Sequence, residues 1–154
     1  MTMGIDTNLR SARQAVDRWL PVLGSVRQLP RPPKGWITTI RTALGMSQEV
    51  LGARLGMPKQ RLSQLEQRER SGEIKLSQLR ELAEALNCDF VYALVPREPL
   101  EATMQRRLRE RALRELMAVE RTMQLEDQAT GIDEDRINDF IARHLDEKDV
   151  WRGG

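Results

Sequence analysis

Cysteine and histidine are almost missing from this sequence, which holds one of each, Cys88 and His144. A lone cysteine rules out an internal disulfide framework, and one histidine beside it falls short of any zinc ligand set. There is no Cys/His arrangement for nucleophilic chemistry, no glycine-rich phosphate loop and no carboxylate cluster in an apolar setting. The sequence is thus expected to encode no enzyme, with no metal and no cofactor. Long apolar runs are also lacking: none approaches the ~20 residues of a membrane span, and no apolar leader segment follows the first residues. A cytoplasmic protein without a membrane partner is expected. Aromatic residues amount to only 4%, although 40% of the chain is hydrophobic, enough for a real core.

Charge is abundant. Charged residues make up 31% of the chain, and arginine, glutamate, glutamine and leucine are frequent, the composition of an all-α protein. The formal net charge of +2 hides an asymmetry. Residues 1–75 carry 13 Lys/Arg against 6 Asp/Glu, whereas residues 125–154 carry 4 against 9. A basic half beside an acidic tail suits one face for phosphate and another for a protein partner.

The densest signal lies in Ser47-Gln48-Glu49-Val50-Leu51-Gly52-Ala53-Arg54-Leu55-Gly56-Met57-Pro58-Lys59-Gln60-Arg61-Leu62-Ser63-Gln64-Leu65-Glu66. Leu51, Leu55, Leu62 and Leu65 recur at helical spacing on either side of Gly56, predicting two short helices. Gly56 can take the left-handed conformation that ends one helix and redirects the chain, and Gly52 lets the second helix cross closely. Ser47 is placed to cap the first helix, with Glu49 near the positive end of its dipole. The second helix exposes Lys, Gln, Arg, Ser and Gln, side chains that hydrogen-bond base edges and phosphates. This is a helix-turn-helix pattern, and double-stranded DNA is the expected partner.

These residues resemble the Xre/Cro/C1 family of phage-repressor-like domains, from Trp36 to about Pro96 and including Leu79-Arg80-Glu81-Leu82-Ala83-Glu84-Ala85-Leu86. The resemblance implies a lambda-repressor-like fold and puts Lys59, Gln60, Ser63 and Gln64 on the groove-facing side of the second helix. Gln60 and Gln64 would read bases, since glutamine can pair with adenine through two hydrogen bonds, and Lys59 would meet guanine or phosphate. Ser47 and Gln48 match positions that clamp the phosphate backbone, and Arg61 is assigned to phosphate. Arg41 and Glu66 align with a structural salt bridge of the family. Two departures stand out. Pro58 replaces a Ser or Thr cap, and Gln67-Arg68 stands where Asn-Gly is common, before a polar loop expected over 68–73. Each subunit would cover one half-site, with half-sites about one helical turn apart in a dimer.

Around this domain, the pattern predicts an N-terminal helix over 6–20 with an apolar stripe of Leu9, Ala12, Val16, Trp19, Leu20 and Leu23, and with Arg10, Arg13 and Arg18 off it. A proline-rich linker follows at 30–35. Within the domain, helices are expected at 35–45, with Trp36, Ile37, Ile40 and Leu44 inward, at 58–68 and at 76–87, the last ending on a left-handed Asn87. Phe90-Val91-Tyr92-Ala93-Leu94-Val95 reads as one short strand, whose unpaired backbone would be satisfied by the same strand of a second subunit, giving a homodimer. A long amphipathic helix is expected from Leu100 to about Gln128 and a last one over 133–145, with Trp151 docking into a groove. The domain boundaries expected are 1–34, 35–96 and 97–154.

The Trp-Ile start of the domain, Cys88-Asp89-Phe90-Val91-Tyr92-Ala93-Leu94-Val95-Pro96 and Thr122-Met123-Gln124-Leu125-Glu126-Asp127-Gln128 resemble the proteins called mobile mystery protein A, over nearly the whole chain. Members of that group are encoded beside a Fic-domain protein, which implies a toxin–antitoxin module with this chain as antitoxin and operon repressor. The resemblance further implies an inhibitory pattern of Ser/Thr-x-x-x-Glu-Gly/Asn, nearly matched by Thr122 and Glu126 with Asp127 in the last place, and Thr130 to Asp135 is a second near match. A stand-alone transcriptional regulator, or a Fic inhibitor with incidental DNA binding, are the alternative readings.

Overall fold

The computed structural model describes residues 5–125 and 131–153. These residues are helical or irregular, with eight helices and no strand among them: α1 (Thr7–Asp17), α2 (Leu20–Val26), α3 (Trp36–Ala43), α4 (Gln48–Arg54), α5 (Lys59–Ser71), α6 (Leu76–Ala85), α7 (Leu100–Leu125) and α8 (Glu134–His144). The chain forms two units. One comprises residues 28–94, and the other joins residues 1–27 to residues 95–154.

In the 28–94 unit, α3 to α6 enclose Ile37, Leu51, Leu62, Leu65, Leu82 and Leu86. The turn between α4 and α5 has the geometry the glycines predict. Gly56 sits at φ 65°, and a Cβ on Gly52 would lie 2.7 Å from the Met57 carbonyl oxygen, so the close crossing excludes any side chain there. Asn87 is left-handed at φ 54°, closing the end of α6. Three expectations need correcting. Trp36 and Leu44 do not turn inward; both are about half exposed. Leu76 is likewise half exposed at the start of α6. The polar loop expected over 68–73 is mostly helix, because α5 runs on to Ser71 and ends where Gly72 adopts the left-handed cap at φ 79°.

The strand expected over Phe90–Val95 does not form. Residues 89–94 run irregularly and join no backbone hydrogen bond among the described residues, so there is no ladder to define a strand and its pairing across a dimer finds no support. In this continuous apolar run Phe90 stacks on Tyr92 at 6.0 Å, while Val91, Tyr92 and Leu94 stay exposed.

In the other unit, α1 and α8 pack along α7, burying Met104, Leu108, Ala112, Leu116, Ile137, Leu145 and Val150. The expected first helix divides into α1 and α2, with Pro21 opening α2 at a position where no N–H is missed. Asp17, at the end of α1, accepts from the Leu100 and Glu101 N–H groups at 2.6 and 3.2 Å, so one helix caps another. Arg13 is not the solvated residue its helix pattern predicts. It is 8% exposed, and it donates to Glu101 at 2.7 Å and to both oxygens of the fully buried Glu147. Trp151 is half exposed, lies under the Arg107 guanidinium, 5.3 Å from ring to cation, and lines a groove with Leu9, Ala12, Val16 and Met104. Among the described residues no helix is long and apolar enough to cross a membrane.

Candidate nucleic-acid interface

Which face of α5 meets solvent is decided by what the other face buries. Leu62, Leu65 and Glu66 are nearly inaccessible, and Glu69 follows them on the same side. At 100° per residue the opposite side carries Gln60, Ser63, Gln64 and Gln67, all exposed, with Lys59 on one flank and Arg61 and Arg68 on the other. Among the described residues none of the side chains of Gln60, Ser63, Gln64 or Gln67 makes a hydrogen bond, so the amides and hydroxyl are presented outward with capacity for an external partner. Of the residues expected to face DNA, Lys59, Gln60, Ser63 and Gln64 thus occupy one continuous strip. Gln67, inside the helix expected over 58–68, joins them on the same exposed side. The left-handed Gly72, not the polar composition of residues 68–73, marks the true end.

At the start of α4, Ser47 Oγ accepts from Val50 N–H at 3.2 Å. Its neighbour Gln48 is half-buried and already committed, since its amide donates to Glu66 at 3.0 Å. The orientation of Gln48 is fixed, and one amide N–H remains for an external acceptor. Pro58 precedes α5 without any side-chain cap, as its identity requires. Lys59 lies 3.6 Å from Glu49, both well exposed, an ion pair weak enough to yield to phosphate.

Two anchors hold α5 against α3. Arg41 donates through Nε and Nη2 to the Glu66 carboxylate at 2.6 and 3.2 Å, and through Nη1 to the Met46 carbonyl at 2.9 Å. Burial alone would raise the Glu66 pKa, but hydrogen bonds from Arg41 and Gln48 outweigh it and hold the carboxyl below its ordinary value. The second anchor was not legible in the sequence. Glu69 accepts from the Trp36 and Ile37 N–H groups at 2.9 and 3.0 Å, capping α3 from the end of α5. The only sequence signal for it is Gly35 at the α3 N-cap, where a Cβ would come within 2.7 Å of the Glu69 carboxylate.

These inward-turned carboxylates shape the electrostatics. Residues 28–94 hold 10 Lys/Arg and 7 Asp/Glu, and two of the acids, Glu66 and Glu69, are spent on internal contacts. The solvent-facing balance is more positive than the count, which favours a polyanion. No group of acidic, histidine or cysteine side chains among the described residues could hold a metal ion. Thr122 is exposed near the end of α7, and Glu126 lies outside the described residues. Neither a curated protein nor a solved structure matches the chain. Residues 37–92, about a third of the chain, match the helix-turn-helix family model, so this segment is similar to the helix-turn-helix domains that model describes.

Proposed function

We propose that this protein is a sequence-specific transcriptional repressor that binds DNA as a homodimer and acts as the antitoxin of a Fic-domain toxin, repressing its own operon from the cytoplasm. The observation that carries the DNA-binding part is the strip on α5. Gln60, Ser63, Gln64 and Gln67 project from a helix whose other face is locked to α3 by Arg41–Glu66 and by the Glu69 cap. A rigid helix with unsatisfied amides can enter a major groove without first breaking internal bonds. Gln60 and Gln64 read bases. Lys59, Arg61, Ser47 and Gln48 contact phosphates, with Lys59 also within reach of a guanine. The role is binding, with no catalysis.

The antitoxin part rests on the sequence resemblance around Cys88–Pro96 and Thr122–Gln128, with Thr122 and Glu126 as the inhibitory pair. A stand-alone regulator is the reading that remains if no Fic-domain partner binds, and a Fic inhibitor with incidental DNA binding remains if no operator is found. The test has two arms. Selection of duplexes from a random pool should return a symmetric site bound at least 10³-fold more tightly than bulk DNA, the usual lower margin of specific recognition. Co-expression with the Fic-domain protein encoded beside it should give a complex that survives size exclusion and is lost on removing residues 97–154. Failure of selection refutes the repressor, and failure of co-purification refutes the antitoxin.

A further inference from the structure

We propose that the groove between α3 and α6 seats a second copy of this chain, which inserts its own extended segment Val91–Leu94. The inference rests on the reading of the protein as a dimeric DNA-binding regulator and names the surface the dimer uses. The groove has a volume of about 400 Å³ and is lined largely by Leu29, Trp36, Ile40, Leu79, Ala83 and Phe90. The carboxylate of Glu69 at its edge is already occupied by two α3 N–H groups, and the exposed Asp89 and Val91 also lie along the rim. Beside the groove, Val91, Tyr92 and Leu94 are 77%, 65% and 85% exposed.

Two unmet needs therefore sit next to each other on one unit: an empty apolar groove and an apolar segment without cover. Among the described residues the backbone of 89–94 enters no backbone hydrogen bond, so the segment is not tied down by a ladder of its own. A twofold exchange, each copy laying its segment in the other's groove, meets both needs at once. The area suffices. Leu29, Trp36, Val91, Tyr92 and Leu94 together expose on the order of 600 Å², so a symmetric pair would cover about 1,200 Å², where stable specific interfaces begin. A patch of that size is also at the upper limit for a monomer's surface. This arrangement uses side chains in a groove and differs from the strand ladder that the structure does not show.

The test is the mass of the full chain in solution, by light scattering over a concentration series. The wild type should run at twice 17.7 kDa. The variant Val91→Asp/Leu94→Asp, altered only at exposed positions, should run at the monomer mass with unchanged helical circular dichroism, its dimer dissociation constant raised more than hundredfold. A second readout needs no mutation. Cys88 lines the groove and should react with a thiol reagent at least tenfold more slowly in the wild-type dimer than in the monomeric variant. A wild-type monomer at the highest concentration, a variant that stays dimeric, or equal Cys88 rates would overturn the inference. Failure of the functional reading is separable: a dimer that binds no specific DNA leaves this interface standing, whereas a DNA-binding monomer removes it alone.

Discussion

Replacing Glu66 with alanine should destabilise the 28–94 unit far more than loss of a surface ion pair would. The carboxylate accepts three hydrogen bonds, two from Arg41 and one from Gln48, and it is 2% exposed. Arg41 is itself only 8% exposed, so Glu66→Ala leaves a guanidinium out of water with a single remaining carbonyl partner, Met46. Breaking one side of such a pair costs about 3–5 kcal/mol, against about 0–1 kcal/mol for an exposed pair. With a typical domain stability of about 5–15 kcal/mol, the variant should be partly unfolded at moderate temperature. The double replacement Arg41→Met/Glu66→Leu should recover most of the loss, because no charge is then stranded. Urea unfolding followed by Trp36 fluorescence, in a Trp19→Phe/Trp151→Phe background, measures both. The pH dependence has a defined sign. The Glu66 pKa is lower folded than unfolded, so its stabilisation is complete above the ordinary carboxyl range and fades as pH falls through the lowered folded value. Glu66→Gln should flatten that acid limb. A loss under about 1 kcal/mol for Glu66→Ala would refute the reasoning, since it would mean the pair behaves as a solvated one.

Gln64→Ala should weaken specific DNA binding by about 1–3 kcal/mol at one base pair with no change in the unfolding midpoint, measured by anisotropy across single-base variants of the selected site. Gly52→Ala should cost about 1–3 kcal/mol in the same unfolding assay, because its Cβ meets the Met57 carbonyl oxygen and one helix must shift. Asp17→Ala should lower the stability of the other unit by about 0.5–2 kcal/mol through loss of the α7 cap, as monitored by Trp151 fluorescence, with Asp17→Asn restoring part of it.

Local chemistry was the legible part of the sequence. Gly56, Ser47 and Asn87 each announce a backbone conformation or a cap by residue type, and the leucine spacing around them marks what α4, α5 and α6 bury. Apart from Arg41–Glu66, which the family resemblance supplied, contacts distant in sequence were not legible. Nothing near Arg13 indicates that Glu147 will bury it, nor does anything near residue 69 show that α3 needs its carboxylate. Polar composition misled over 68–73, where helix continuation is decided by the first residue able to take a left-handed cap, Gly72. The strand reading failed for a related reason: a run of β-branched and aromatic residues reports a preference for extended backbone, whereas a strand exists only with a partner. On α5 the periodicity located the exposed strip, but Gln67, inside the expected helix, was not singled out for DNA contact.

The most direct test of DNA recognition by the α5 strip is the binding of wild type and Gln60→Ala/Gln64→Ala to the selected duplex and to a scrambled one, at two salt concentrations. The account predicts that the double variant loses most of its preference for the selected duplex while its affinity for scrambled DNA and its salt slope stay as in the wild type. A variant that keeps the full preference would contradict it and place base recognition elsewhere on the molecule.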